Sequence, residues 1–237
     1  MSGMVFAIVF FFMVLMYGQV AAQTTVVEKQ TRVIELLLAA VRARALLAGK
    51  LLSNTALAFG TMVAMFLAGA AGLYLGGGAE IAVGGAAGEI AVAAGKDTLV
   101  EVLAEPFGWF LLFFLVAFVM YSALMVGSAA TVSRLEDVGN VLMPTTMLIM
   151  VPYFMVVMFP DNKTMLEWLS FIPFSAPTAM PIRLVSGGVA AWEVVVSLAL
   201  LVLTTYLAIL AGGRLYEGSV LRTGARVKFK EALKGAA

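Results

Sequence analysis

The run WFLLFFLVAFVM (109–120) is the clearest structural signal in the chain, because it lies within a stretch over 107–132 that contains no acidic or basic residue. A helix needs about 20 consecutive apolar residues to cross the hydrocarbon core of a bilayer. A helix also pairs its own backbone donors and acceptors, which a chain surrounded by lipid must do. We therefore predict a transmembrane helix over 107–132.

The composition of the whole chain is typical of an integral membrane protein. Of its 237 residues, 62% are hydrophobic and only 12% are charged, whereas a soluble domain needs more polar side chains to cover its surface. Cysteine and histidine are absent, which excludes disulfides, thiol nucleophiles, the common zinc sites and a serine–histidine catalytic pair. We therefore expect no catalytic residue, metal site or cofactor in this chain.

Four further stretches are long and apolar enough to span a membrane, so we predict an all-α protein with about five transmembrane helices. The predicted spans are 4–22, 51–76, 107–132, 141–159 and 191–213. The apolar stretch 79–94 would reach only about 24 Å as a helix, so we assign it to an external segment. A secretory signal peptide is the alternative for the first span, but no basic residue precedes its apolar run.

The distribution of basic residues predicts the orientation of the chain. One side of the membrane collects Lys29, Arg32, Arg42, Arg44, Lys50, Arg134, Arg214, Arg222, Arg226, Lys228, Lys230 and Lys234. The other side collects only Lys96, Lys163 and Arg183. Because cytoplasmic flanks carry the excess of Lys and Arg, we predict the N-terminus outside and the basic tail 214–237 inside, along the anionic inner leaflet of the cell membrane. Such flanks are expected of any multi-pass protein, so they do not indicate nucleic-acid binding.

The segment 26–47, between the first two spans, is predicted to form an amphipathic helix on the cytoplasmic face of the membrane. It contains good helix formers, no proline and one to two charges per turn. Glu28 and Arg32 have the spacing of a favourable ion pair within a helix. Its apolar residues Ile34, Leu37, Leu38, Val41 and Leu46 can share one face. A continuous helix here would be roughly 30 Å long.

The external segment 77–105 is rich in glycine and then acidic. Its glycines and Lys96 suggest a phosphate-binding loop, but the spacing fails. Ile90 stands where the first glycine should be, and Asp97 replaces the Ser or Thr that would bind the metal ion. We therefore expect no nucleotide site in this chain.

The external segment 160–190 is apolar although it lies outside the spans. Pro173, Pro177 and Pro181 recur at every fourth residue, which excludes one regular helix through the region. Two interpretations stay open: short re-entrant helices buried against the spans, or an interfacial loop anchored by Trp168.

The block VVEKQTRVIELLLAAVRARALLAGK (26–50) resembles the cytoplasmic region of ABC-2 type transporter permeases, and it looks closest to their sodium-efflux-like branch. The matching positions are Glu28, Lys29, Arg32, Glu35, Leu36, Leu37, Gly49 and Lys50. SRLED (133–137) resembles the short cytoplasmic turn of that family, and FIPFSAPTAMPIRL (171–184) resembles its proline-rich external segment. The resemblance covers most of the chain. Family members usually begin with an additional span and a large external domain, and we expect both to be missing here.

The resemblance implies a permease subunit of an ATP-binding-cassette exporter, which couples ATP hydrolysis by a separate cytoplasmic ATPase to export. ATP and magnesium would bind to the ATPase, and a second permease subunit, identical or different, would complete the assembly. One alternative is a non-transporting assembly or regulatory subunit. Another is an ion-coupled secondary transporter, which predicts buried ionisable residues and internal repeats. The substrate stays open, because the family branch suggests sodium whereas the apolar spans favour a hydrophobic or amphipathic molecule.

The same resemblance assigns roles to the cytoplasmic charges. Residues 26–47 would be a coupling helix that contacts the ATPase. The expected contact residues are Glu28, Lys29, Arg32 and Glu35, with a second contact at Glu136 and Asp137. A solvated charge at the membrane interface is an equally good interpretation for each of these residues.

Small residues on the second span permit close packing of helices. Ala68, Gly72 and Gly76 have the small-xxx-small spacing that lets two helix backbones approach each other. This face is expected to pack either against a second subunit or within the chain.

Overall fold

The computed structural model describes residues 2–75, 96–159 and 162–220. The helices are α1 (Ser2–Gln30), α2 (Val33–Ala40), α3 (Ala43–Leu75), α4 (Lys96–Ala129), α5 (Val138–Met158), α6 (Lys163–Phe171), α7 (Ala176–Ser186) and α8 (Ala191–Ser219). A short 3-10 helix, Leu135–Asp137, lies between α4 and α5. No strand occurs among these described residues, and the predicted all-α fold is confirmed.

Among the described residues, five helices are long and apolar enough to cross a membrane, as predicted. Their candidate spans are Ala7–Gln30, Ala43–Ala68, Phe107–Ala129, Leu135–Met158 and Ala191–Ser219. Helix α1 continues beyond the predicted end of the first span to Gln30, and α3 begins at Ala43 rather than at residue 51. Helix α4 begins at Lys96, so the end of the predicted external segment is helical. The stretch 79–94 and the tail from residue 221 lie outside the described residues.

Helix α4 lies at the centre of the bundle, where it packs against α1, α3, α5, α7 and α8. Phe114 stacks on Phe118 of the same helix with ring centroids 5.5 Å apart, and it meets the ring of Phe10 in α1 edge-on at 6.0 Å. A helix that is apolar on every side is one that its neighbours surround. This central position explains why 107–132 contains no charged residue.

The largest helix contact joins α4 to α8, and glycines make it close. A Cβ built on Gly127 of α4 would lie 2.6 Å from the Cα of Gly212 in α8. A Cβ on Gly212 would collide with the carbonyl oxygen of Ala123. Small residues spaced by four allow helix backbones to approach in this way, and Ala123–Gly127 and Ala208–Gly212 both have that spacing.

The small residues predicted to form a packing face on the second span are not part of this contact between α4 and α8. Ala68 is exposed on α3, the surroundings of Gly72 are not described, and Gly76 lies outside the described residues. The predicted role of Ala68, Gly72 and Gly76 in packing therefore stays a prediction. The close approach within the chain occurs instead between α4 and α8.

The proline-rich segment forms two short helices, α6 and α7. Helix α6 begins at a cap in which the Asn162 side chain accepts a hydrogen bond from the backbone N–H of Met165 at 3.1 Å. Helix α7 is buried from Ala176 to Ile182 and packs against α1 and α4. Trp168 of α6 is 73% exposed. The burial of α7 favours the interpretation of short buried helices for that part of the segment, whereas an exposed Trp168 is also compatible with an interfacial anchor.

A buried polar network attaches α7 to its neighbours. Arg183 of α7 donates to the Oγ of Ser170 in α6 at 2.7 Å and forms an ion pair with Glu193 of α8 at 2.5 Å. Ser197 of α8 donates to the carbonyl oxygen of Ser170. Because all three short connections converge on one arginine and one serine, the end of α7 is held between α6 and α8.

Candidate functional site at the basic end of the bundle

We call the end of the bundle where α1, α4 and α8 end and α3 begins the basic end. Polar contacts gather there around Lys29, near the C-terminus of α1. The Nζ of Lys29 donates to the carbonyl oxygen of Ala130 at 2.8 Å and to that of Ser219 at 2.9 Å. Ala130 follows the last residue of α4, and Ser219 is the last residue of α8. One ammonium group therefore joins the ends of three spanning helices.

The position of this ammonium group matches the electrostatics of helix ends. The last carbonyl oxygens of a helix have no partner within the helix and carry partial negative charge. A cation at that position supplies both the missing donors and a favourable charge. Lys29 is only 2% exposed, and within the described residues no carboxylate forms an ion pair with it. The two helix ends take the place of an acidic partner.

The structure corrects the expected role of Lys29. The sequence suggested that its side chain contacts a partner chain, but a buried ammonium that is engaged by two carbonyl oxygens is not available for that contact. The local spacing contained the signal for burial. Ala22, Thr25, Val26 and Lys29 follow the i, i+3, i+4, i+7 pattern of one helix face, and all four are buried.

Glu28 is also committed within the chain. Its Oε2 pairs with the Nζ of Lys50 in α3 at 2.6 Å, and Lys50 also donates to the Oγ1 of Thr25 at 3.0 Å. The expected pair between Glu28 and Arg32 does not form among the described contacts. Arg32 adopts a left-handed backbone conformation with φ 58°, which takes its side chain off the path of α1. Glu28 therefore links α1 to α3.

The predicted continuous helix over 26–47 is wrong. The segment comprises the end of α1, a turn at Thr31 and Arg32, the short helix α2, a break at Val41 and Arg42, and the start of α3. Val41 has extended backbone angles that end α2.

Burial of Ile34 explains why the chain turns. Ile34 is fully buried in a small cluster that includes Ala21, Leu47 and Tyr216. A straight helix from residue 26 would carry Ile34 away from the bundle into water. The chain turns instead and folds α2 back onto α1 and α3.

The remaining predicted contact residues lie on the surface at the basic end. Arg32, Glu35 and Glu136 are exposed, and Asp137 is half-buried. The Nε2 of Gln30 donates to the carbonyl oxygen of Ser133 at 3.1 Å, which joins the end of α1 to the turn that precedes the 3-10 helix. We call Arg32, Glu35, Glu136 and Asp137 the charged face. The structure therefore brings the two predicted contact regions to the same end of the molecule.

Sequence reasoning missed one further ion pair at this end. The Nε of Arg44, at the start of α3, donates to Glu217 of α8 at 2.6 Å. The two residues are far apart in the chain, and no local spacing connects them. An ion pair whose arginine side chain is 75% exposed contributes little to stability.

Comparison with protein families gives a match over nearly all of the described chain. The model of a family described as ABC-2 family transporter protein matches residues 1–214. The matched range contains α1 to α7 and most of α8.

Two curated proteins are similar to the chain. The uncharacterized protein YhaP of Bacillus subtilis (strain 168) is 30% identical over 233 residues, which cover 96% of this chain and 54% of that protein. The uncharacterized protein MJ1024 of Methanocaldococcus jannaschii is 25% identical over 209 residues, covering 87% of this chain and 46% of that protein. The chain thus spans about half the length of these curated relatives. No solved structure matches the chain significantly.

Proposed function

This chain belongs to the ABC-2 family of transporter proteins, and from that premise we propose that it is the permease subunit of an ATP-driven exporter. It is a multi-pass cell membrane protein, and five helices in the described part of the chain are long enough to span. A separate cytoplasmic ATPase chain would bind ATP and Mg²⁺ and supply the energy. The proposed role of this chain is to convert movement of the ATPase into movement of the spans.

The hydrogen bonds of Lys29 carry this proposal. Force applied to the turn after α1 reaches α4 through Ala130 and α8 through Ser219, because one ammonium group holds both carbonyl oxygens. The pair between Glu28 and Lys50 extends the same connection to α3. Four of the five spanning helices are therefore linked by polar contacts within a few residues of the surface.

The charged face is the proposed contact with the ATPase. Arg32 and Glu35 lie directly beside the turn that Lys29 anchors, and Glu136 and Asp137 lie beside the turn that Gln30 anchors. The short helix α2, between the turn at Thr31 and Arg32 and the break at Val41 and Arg42, replaces the long rod that the sequence suggested. A contact on α2 would act on α1 and α3 together, because α2 packs against both.

We also propose that the chain pairs with a second permease subunit. The exposed Ala68 on α3 supports the small-residue face of Ala68, Gly72 and Gly76 as one packing surface. Because the chain contains no cysteine, an Ala68→Cys variant would carry a single thiol. A disulfide-linked dimer in membranes supports this face. If Ala68→Cys stays monomeric under the same oxidising conditions while a cysteine at another exposed position forms a cross-linked dimer, the partner lies elsewhere.

Purification from native membranes in mild detergent tests the main proposal. We expect an ATP-hydrolysing chain to co-purify with the tagged protein. Reversing both exposed charges, in Arg32→Glu with Glu35→Arg, should reduce the amount of retained ATPase by about tenfold or more, because charged contacts at an interface become unfavourable when reversed.

The matched control reverses a pair at the opposite end of the molecule. Lys163→Glu with Glu167→Lys changes two exposed charges one helical turn apart on α6, and it should leave ATPase retention unchanged. If both double variants retain the same amount of ATPase, the charged face is not the contact with the ATPase. A stable protein that never co-purifies with an ATPase would contradict the exporter assignment itself.

A further inference from the structure

An apolar groove lies on the outside of the bundle near the basic end. It has a volume of about 590 Å³ and runs between α3, α4 and α8. Leu51 and Phe59 of α3, Val119 of α4 and Leu210 of α8 form part of its walls. The spanning helices on either side expose large apolar side chains such as Leu52 and Leu207. The groove therefore opens toward the lipid.

Two arginines line the same groove at its basic end. Arg44 begins the α3 side and Arg214 lies on the α8 side. The contact with Glu217 engages the Nε of Arg44. In that contact the guanidinium lies at the mouth of the groove. Positive charge at one end and apolar walls along the rest make the groove complementary to an amphiphile with an anionic head.

The length of the groove matches one leaflet of a bilayer. Along α3 it extends from Arg44 to Phe59, which is about 22 Å at 1.5 Å per residue. Half of a bilayer that is about 40–45 Å thick with its headgroups has the same dimension. Helix α3 itself continues to Leu75. A transmembrane helix lying against α3 would need a groove along the full span, whereas a lipid needs only this half.

We propose that this groove binds one anionic phospholipid of the cytoplasmic leaflet, with its phosphate at Arg44 and Arg214 and an acyl chain against α3, α4 and α8. Arginine suits this position, because its guanidinium group can donate two parallel hydrogen bonds to phosphate oxygens. Neither arginine belongs to the charged face, so the site is separate from the proposed ATPase contact. A bound acyl chain would lie directly against Gly213, where α8 presents no side chain.

Native mass spectrometry of the purified full chain with added lipid tests the proposal. The two probes are phosphatidylglycerol and phosphatidylcholine with identical acyl chains, so that only the headgroup charge differs. We expect one phosphatidylglycerol to be retained in preference to phosphatidylcholine. Arg44→Gln with Arg214→Gln should reduce the retained fraction by about tenfold or more, because each basic residue near the surface favours anionic lipid severalfold.

Two controls separate this site from general attraction of lipid. Arg134→Gln removes an exposed charge at the same end but outside the groove, and it should leave retention unchanged. Ala56→Phe fills the groove and keeps both arginines. It should abolish retention, whereas Ala64→Phe, at an exposed position of α3 outside the groove, should not.

Three outcomes would overturn the proposal. The first is equal retention of the two lipids. The second is unchanged retention in both the double arginine variant and Ala56→Phe. The third is a cross-link from Leu52→Cys to another protein segment, which would show that a polypeptide fills the groove. The ATPase does not enter any of these measurements, so loss of the exporter assignment would leave the lipid proposal standing.

Discussion

The backbones of Gly127 and Gly212 lie against each other, with 2.6 Å between the Cα of Gly212 and the place where a Cβ on Gly127 would stand. No other residue type fits either position without moving a helix. This contact lies within one helical turn of Ala130 on α4 and about two turns from Ser219 on α8, the two residues whose carbonyl oxygens Lys29 joins. Helices α4 and α8 are therefore in contact at the backbone and linked again at their ends.

Gly212→Ala should destabilise the protein, because its Cβ would meet the backbone of Ala123 rather than a side chain that can move. We expect a loss of about 1–3 kcal/mol in the free energy of unfolding, measured by titration with sodium dodecyl sulfate. The control is Gly60→Ala, since nothing lies within 4 Å of a Cβ on Gly60. A Gly212→Ala variant as stable as the Gly60→Ala variant would show that the two helices are not in close contact.

Lys29→Met should destabilise the basic end, because it removes the donors to Ala130 and Ser219 while keeping a similar side-chain volume. The expected cost is about 1–3 kcal/mol for each buried carbonyl oxygen left without a partner. Intrinsic fluorescence of the three tryptophans during unfolding provides the measurement. Lys163→Met, which removes an exposed lysine, is the control and should have little effect. Equal stability of the two variants would argue against the internal role of Lys29.

The ion pair between Glu28 and Lys50 should show coupling in a double-mutant cycle. Each single change, Glu28→Gln or Lys50→Met, leaves the partner partly buried and without its opposite charge. We expect the double variant to be more stable than the sum of the single effects predicts, with a coupling energy of about 0.5–3 kcal/mol. Strict additivity of the two changes would mean that the pair does not form in the membrane.

Labelling of single cysteines should confirm the orientation, because the natural chain offers no competing thiol. Arg42→Cys, in the break between α2 and α3, should react with a membrane-impermeant maleimide only after the membrane is opened. Trp168→Cys, on the exposed side of α6, should react in intact cells. Reaction of Arg42→Cys from the outside would show that the orientation is the opposite one and that the charged face is not in the cytoplasm.

The long helices could be predicted from the sequence because they follow from the composition of each stretch alone. A charge-free stretch such as 107–132 must be helical wherever it meets lipid. The prolines at 173, 177 and 181 predicted an interrupted segment, and the break between α6 and α7 falls at Pro173, whereas Pro177 lies in the first turn of α7 and Pro181 lies inside that helix. The structure shows α7 as a short helix in that segment.

The connections at the basic end could not be predicted in the same way. Lys29 contacts residues that lie 101 and 190 positions away in the chain, and the positive φ of Arg32 follows from the burial of Ile34 rather than from its own preference. A lysine after a span ordinarily faces water, and the family resemblance likewise predicted a surface contact for Lys29. Only the periodicity of Ala22, Thr25 and Val26 indicated otherwise.

A single ammonium group that holds the ends of both α4 and α8 limits how the protein can change shape. Neither helix can slide or tilt at that end without carrying the other, unless Lys29 first gives up one of its two carbonyl oxygens. Any conformational cycle that keeps these bonds must therefore treat α4 and α8 as one rigid body. Movement is then left to the surfaces where this body meets α5, which it contacts less extensively.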